Sequence, residues 1–373
     1  MHLDRLSRFA YESWNMAWRT GVQGANKCLK PDRHRRVPCA NCLFCTSCCD
    51  HFAINQGTDR VHTRRTTKGV ILSDPTDDVF SRYIIENSTH RDGSTYKRNL
   101  TFQKSFRITD REETRLEPKM FSEPTDCQPD RERCIVHSPS RMMQIYSLKL
   151  SQIPIDNKSV ELYGYIAVRD YHDSLLNYIV NRSRDDPIIV HQGSLIPMTG
   201  PKRGISMSST VLLEFDMRIK KGEPEENDLQ LIDGASEICE VTAPMHVYTT
   251  RIEGDCGAVD ITSALVYEAV EATIEVVVPE VLSGFSLSLS SLVLIYGSRK
   301  EIQLFHGTIC ESCALRRSVI AVGLKFKIRR KGSKNGLERY CSFKAANHGC
   351  ARRQIMLDIA SISAKVTWST DPL

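Results

Sequence analysis

The chain has 373 residues and a mass of 42.3 kDa, enough for one large domain or two of ordinary size. Hydrophobic residues make up 41% and charged residues 25%, so a sizeable core is available and a wholly disordered chain is excluded. The formal charge of +5 belongs entirely to the front of the chain: residues 1–140 hold 23 basic and 18 acidic groups, the remainder 27 of each, which excludes the dense basic face of a nucleic-acid binder.

Residues 1–20 place Leu3, Leu6, Phe9, Ala10, Trp14, Ala17 and Trp18 at three- and four-residue steps, predicting a short amphipathic helix. This opening lacks the apolar stretch and small-residue cleavage site of a secretory signal. No window approaches the roughly 18 uninterrupted apolar residues of a membrane helix. The expected compartment is therefore cytoplasmic or nuclear. In it the 14 cysteines are expected to be reduced, and the N-x-[ST] matches at Asn87, Asn99, Asn157 and Asn181 fall by chance.

Residues 21–140 are polar and rich in Asp, Arg, Thr and Pro, with almost no apolar periodicity. Such a segment buries too little surface to offset its chain entropy, so a mostly irregular basic arm is expected, with short ordered pieces such as "DDVFSRYII". Inside it lies "PCANCLFCTSCCDH", with Cys39, Cys42, Cys45 and Cys48 at strict three-residue intervals, then Cys49 and His51. Thiolates at this spacing can take zinc, with His51 as a further ligand. Zinc sites usually separate their two pairs by a dozen residues or more, however, and the proline that closes an iron–sulfur motif is missing. The favoured reading is a run of reduced thiols without a resident cofactor; a small zinc element is the alternative.

From Arg141 to residue 370 the pattern changes to period two. In "TVLLEFDMRI", Val211, Leu213, Phe215, Met217 and Ile219 alternate with Leu212, Glu214, Asp216 and Arg218. "GFSLSLS" and "LKFKIRR" alternate likewise, and turn-forming runs such as "MTGPKRG", "KKGEPEEND" and "IEGDCG" separate the strands. About ten strands with one apolar face each predict an antiparallel two-sheet sandwich or flattened barrel whose other faces meet water. "SALVYEAVEA" fits either a short helix or a strand.

The motifs "MMQIYSLKL", "VELYGYIAVRD", "NYIVNRSRDDP", "GSLIPMTGPKRGI", "LLEFDMRIKKGEPEENDLQLIDG", "GDCGAVDITSALV", "GFSLSLSS" and "EIQLFHGTICESCALRR" run collinearly over about residues 141–370. Together they resemble the plant family of domain of unknown function 6598, expanded in grasses. The resemblance carries no established activity. It implies a loose tie to defence, because domains of this type accompany ribosome-inactivating rRNA N-glycosidases in some grass proteins. The Glu112–Arg115 pair has the E-x-x-R spacing of such enzymes, but it sits in a polar segment without flanking catalytic aromatics.

Other candidate sites read as structure first. Cys310 and Cys313 form a C-x-x-C in a β region, without the helix N-terminus that activates a redox pair. Lys202 and Arg203 in "TGPKRG" precede a strand, not the helix of a phosphate loop. Glu223, Glu225, Glu226 and Asp228 lack the spacing of a calcium loop. Cys256, between Asp255 and Asp260, needs His246 or His306 to approach through the fold before it can act as a nucleophile. Lys325, Lys327, Arg329 and Lys331 form a basic strand face without interleaved aromatics. The expected function is a non-enzymatic interaction module with a protein partner. The alternatives are an accessory domain or enzyme of the ribosome-inactivating kind and a zinc-dependent element at the N-terminus.

Overall fold

The computed structural model describes residues 79–97, 101–117, 122, 137–154, 159–295, 298–319, 323–330 and 336–370. The amphipathic helix of residues 1–20 and the cysteine run at Cys39, Cys42, Cys45, Cys48 and His51 lie outside them. Strands take 59% of the described residues, so the mainly β architecture read from the alternation is what forms.

The first half of the described chain carries β1 (Val79–Ser81), helix α1 (Thr101–Ser105), β2 (Ser140–Gln152), β3 (Ser159–Arg169), β4 (Asn177–Arg182), β5 (Ile188–His191), β6 (Leu195–Ile196), β7 (Ile205–Ser206), β8 (Val211–Ile219), β9 (Leu229–Ile238), β10 (Tyr248–Gly254) and β11 (Gly257–Ala269). Two open sheets result: β1-β10-β11-β2-β6, with β7 also on β2, and β4-β3-β8-β9, with β5 also on β3. Every pairing is antiparallel except that of β1 with β10. Leu148 and Leu150 of β2, Val259 of β11, Leu162 of β3 and Phe215 and Met217 of β8 share one buried apolar cluster, which makes these sheets the two layers of a sandwich.

The second half adds β12 (Glu271–Val281), β13 (Phe285–Ile295), β14 (Ser298–Ile309), β15 (Cys313–Val319), β16 (Gly323–Arg330), β17 (Leu337–Ser342), β18 (Gly349–Met356) and β19 (Ala360–Ser369). They build the sheets β15-β12-β19-β18 and β14-β13-β16-β17. Ile274 and Val276 of β12, Leu287 and Leu289 of β13 and Ile362 of β19 meet in the second core. The two-layer arrangement therefore occurs twice. "SALVYEAVEA", open between helix and strand in sequence, runs as β11 directly into β12 and carries the chain from one sandwich to the other. Its run of Ala264, Leu265 and Val266 is buried on both faces, which is why it shows no strand alternation. Among the described residues no helix is long and apolar enough to cross a membrane.

One expectation changes. Strand β8 was expected to meet water on one face, yet Leu212 and Glu214 are both 0% exposed. Residues 79–97 and 101–117, largely irregular as expected apart from β1, α1 and the short turn of helix at Ser94–Tyr96, cover that face. Phe102 and Phe106, on and just after α1, and Ile108 pack against Leu212 of β8 and Ala235 of β9. Few apolar side chains are needed, because the remaining contacts are made by buried charges and backbone. "VFSRYII" does form one of the short ordered pieces, with β1 at its start.

Candidate functional site

Alternate positions on β3, β8 and β9 build the covered face. Tyr165, Ala167 and Arg169 stand in register with Asp216, Glu214 and Leu212, and Asp216 and Glu214 in turn with Asp233 and Ala235. Glu214 is the hub. Its Oε2 accepts from Arg169 Nε at 2.7 Å, and its Oε1 accepts from the Tyr165 hydroxyl at 2.7 Å and from His90 Nε2 at 3.0 Å. The other ring nitrogen of His90, Nδ1, donates to Asp233 Oδ1 at 2.7 Å, and the backbone N–H groups of His90 and Arg91 close on the same carboxylate at 2.8 and 3.1 Å. Arg169, fully buried, spends its remaining donors on the carbonyls of Ser174, Arg107 and Ile108.

The electrostatics follow from this geometry. Burial works against a charged His90 ring, but the hydrogen bonds and charges of Asp233 and Glu214 outweigh it and push its pKa up to about 9. Burial likewise opposes the Glu214 carboxylate, yet His90 and Arg169 hold it down to about 2. Tyr165 is driven far above an ordinary phenol by burial and by the Glu214 charge. The cluster is thus fixed as His90⁺, Arg169⁺, Glu214⁻ and Asp233⁻, with a neutral tyrosine. A ring whose two nitrogens both donate to carboxylates has no lone pair to offer as a base. What this arrangement does chemically is hold one piece of chain against another.

Backbone contacts complete the hold. Ile85 N donates to Ala235 O at 2.9 Å, and Ala235 N donates to Ser88 Oγ at 2.9 Å. The segment comes so close that a Cβ at Gly234, whose φ is +141°, would lie 2.7 Å from Ile84 and 3.0 Å from Ser88 Oγ. At the other end of the segment, Thr114 N donates to Leu176 O at 2.9 Å and the Thr114 hydroxyl to Asp173 at 2.6 Å.

"TGPKRG" serves this end of the segment, and its cations are engaged within the chain. Arg203 grips Asp170 through both terminal nitrogens at 2.6 and 2.8 Å and reaches Thr114 Oγ1 at 3.1 Å. Lys202 bonds Thr114 O and Glu117, each at 2.9 Å.

The remaining sequence candidates stay apart. Glu112 and Arg115 pair with each other on the surface. In the acidic turn, Asp228 is held by Arg184 and Tyr163, each at 2.7 Å, and Glu225 meets Arg218 at 3.2 Å. Asp255 and Cys256 form the two-residue tip of the β10–β11 hairpin, where Gly254 lets the backbone pass Leu231 O; Asp260 is bound by Arg251 at 2.7 Å. His306 lies in the other sandwich, on β14. Cys310 is exposed between β14 and β15; burial and then Glu311 push the Cys313 thiol up, the opposite of an activated redox cysteine. Tyr340 stands in register with Lys325, so an exposed aromatic does flank the basic strand. No group of three or more metal-ligating side chains occurs among the described residues.

Sequence reasoning missed His90 and its receptor. The available signals were Leu212, an apolar residue on a face expected to meet water, and the opposite charges of "AVRD" and "LLEFD".

Comparison with protein families matches residues 142–367 to a family described as a domain of unknown function (DUF6598). Arg169, Asp170, Arg203, Glu214 and Asp233 fall inside this range, and His90, Phe102 and Thr114 before it. No curated protein matches. Among solved structures, human GIVD cytosolic phospholipase A2 aligns at 8% identity with a TM-score of 0.21, over 64% of this chain and 33% of that one. The chain thus spans about a third of that enzyme's length, and a likeness at this level carries no argument about fold or activity.

Proposed function

The chain belongs to the family described as a domain of unknown function (DUF6598), and from that premise we propose that it is a non-enzymatic interaction module that receives extended polypeptide at its sheets. The observation that carries this reading is the docking of residues 79–117. A segment outside the matched range lies across one sheet face through His90 and Thr114, and its β1 joins the edge of the other sheet by pairing with β10. The side chains of β1 are all exposed, so at that edge the ladder itself does the binding.

The second sandwich offers comparable edges to a partner. Among the described residues β17 pairs with β16 alone and β18 with β19 alone, apart from one bond from Gly349 N to Ser122 O. Arg352 and Arg353 are exposed on β18, which suits an extended acidic segment of a partner protein. The plant setting and a defence- or stress-related role form part of this reading and rest on the resemblance of the motifs; a cytoplasmic or nuclear location is proposed with them.

The test is affinity capture from plant tissue with the full chain and with Arg353→Pro, which removes one edge N–H and fixes φ. A partner held by the parent and lost with the variant supports the reading. Depurination of ribosomes by the purified chain, or capture unchanged in the variant, overturns it.

A further inference from the structure

The second sandwich is open along β17 and β18. These strands end its two facing sheets, and residues 343–348 carry the chain from one to the other. The registers show which of their residues turn toward the core. On β18, Ala351, Arg353 and Ile355 stand opposite Val366, Ala364 and Ile362 of β19, all buried in the second core. On β17, Leu337 stands opposite Ile328 of β16, also in that core, so Arg339 and Cys341 share its face by alternation. Counting away from the connecting turn sets Cys341 beside Ala351, Arg339 beside Arg353 and Leu337 beside Ile355. The electrostatics agree: burial pushes the Cys341 thiol up, and the charge of Arg353 works against it from across the gap.

A core-facing position ordinarily carries an apolar side chain, yet two of these six carry arginine, and both arginines are exposed. Neither meets a carboxylate among the described residues. Arg353 donates to the carbonyl of its neighbour Arg352 at 3.2 Å, and Arg339 has no hydrogen bond or ion pair. Glu338 stands on the opposite face, where it accepts from the Tyr340 hydroxyl at 2.8 Å. Two unpaired guanidiniums in one layer repel each other until an anion lies between them. A carboxylate brings one charge and two acceptor oxygens, enough for one fork. A phosphate monoester brings a charge of about −1.5 to −2 at pH 7 and three acceptor oxygens, enough for both. Free phosphate would leave the adjoining apolar layer uncovered, where Leu337 is 40% exposed. An extended chain covers it, because its side chains two residues apart repeat at the spacing of these layers.

We propose that the open edge between β17 and β18 receives a phosphorylated segment of a partner protein. Its phosphoserine or phosphothreonine lies between Arg339 and Arg353. Two residues to one side, an apolar side chain rests on Leu337 and Ile355; two residues to the other, a small one lies beside Cys341 and Ala351. This rests on the reading that the module takes extended chain at its sheets, and it names the chemistry selected there.

The experiment uses the full chain and short fluorescent peptides that alternate threonine with leucine, phosphoserine and alanine. A second peptide with leucine and alanine exchanged covers the other strand direction. Unphosphorylated and glutamate-centred versions are the controls, and inorganic phosphate is the competitor. By fluorescence polarisation, one phosphopeptide is expected to bind with Kd on the order of 10 μM, at least about tenfold tighter than either control. Arg339→Gln and Arg353→Gln, both at exposed side chains, should each weaken it about tenfold and leave the unphosphorylated peptide within about twofold. Inorganic phosphate should compete only above about 10 mM. Four results would each overturn the proposal: equal affinity with and without phosphate, phosphopeptide affinity unchanged in both glutamine variants, competition by phosphate at the peptide's own concentration, or no saturable binding up to about 1 mM. In the last case, self-association of the glutamine variants would show that the inward arginines only guard the edges against pairing between copies. The edge reading fails separately, when tissue capture is unchanged in Arg353→Pro; equal affinity with and without phosphate would leave it standing.

Discussion

Replacing His90 with alanine tests the central argument. The ring is raised from its ordinary 6.5 to about 9 by two carboxylates that outweigh the penalty of burial. A shift of about 2.5 units corresponds to about 3 kcal/mol of interaction that depends on the proton. The depression of Glu214 to about 2 reports the same contact, together with Arg169, from the carboxylate side and is not added. Because the folded pKa lies above the unfolded one, the His90 contribution is complete below pH 6.5 and is lost as pH rises through about 9. The Glu214 contribution runs the other way, complete above 4.5 and lost as pH falls toward 2. The first urea-unfolding transition, followed by circular dichroism, should therefore be most resistant between about pH 4.5 and 6.5. At pH 6 the parent should exceed His90→Ala by about 3 kcal/mol plus a packing remainder, and by pH 9.5 only that remainder should persist. A gap of constant size across this range would mean that the buried ring is uncharged, and the account of how the segment is held would fail.

Three further outcomes are expected. Gly234→Val puts a side chain where Ile84 and Ser88 already lie and strains a φ of +141°; it should cost about 1–3 kcal/mol and speed tryptic cleavage after Arg82 and Arg91. Thiol–disulfide exchange through Cys310 and Cys313 should be negligible at pH 7, since burial disfavours the Cys313 thiolate; a rate abolished by Cys313→Ser would refute this. The reduced, untagged full chain should hold well under one zinc per molecule, whereas one equivalent lost with Cys42→Ser and Cys45→Ser would establish a metal centre on Cys39, Cys42, Cys45, Cys48 and His51.

The strand content was legible because alternation is a local signal: Val211, Leu213, Phe215, Met217 and Ile219 all turn into the first core, as their spacing requires. The second layer of information was not local. Leu212, Glu214 and Asp216 read as the wet face of β8, since charges at alternate positions normally mark solvent. The burial of Glu214 and Leu212 depends on His90 and on Phe102, Phe106 and Ile108, more than a hundred residues earlier, in a stretch whose composition reads as irregular. Composition weighs apolar area, and residues 79–117 contribute little of it beyond Phe102, Phe106 and Ile108. They are ordered by paired charges, whose worth appears only when the partners are known. A buried ion pair adds little net stability over an apolar pair of similar shape, but a mismatched one leaves a bare charge at a cost of about 3–5 kcal/mol. The cluster therefore selects among segments more than it strengthens any one of them. A chain lying across β8 and β9 must bring a cation between Glu214 and Asp233 and a small residue opposite Gly234, and residues 84–90 bring both, with Ser88 and His90. That selectivity, exercised on a segment outside the range matched to the family, is what the proposed module would require of a partner chain.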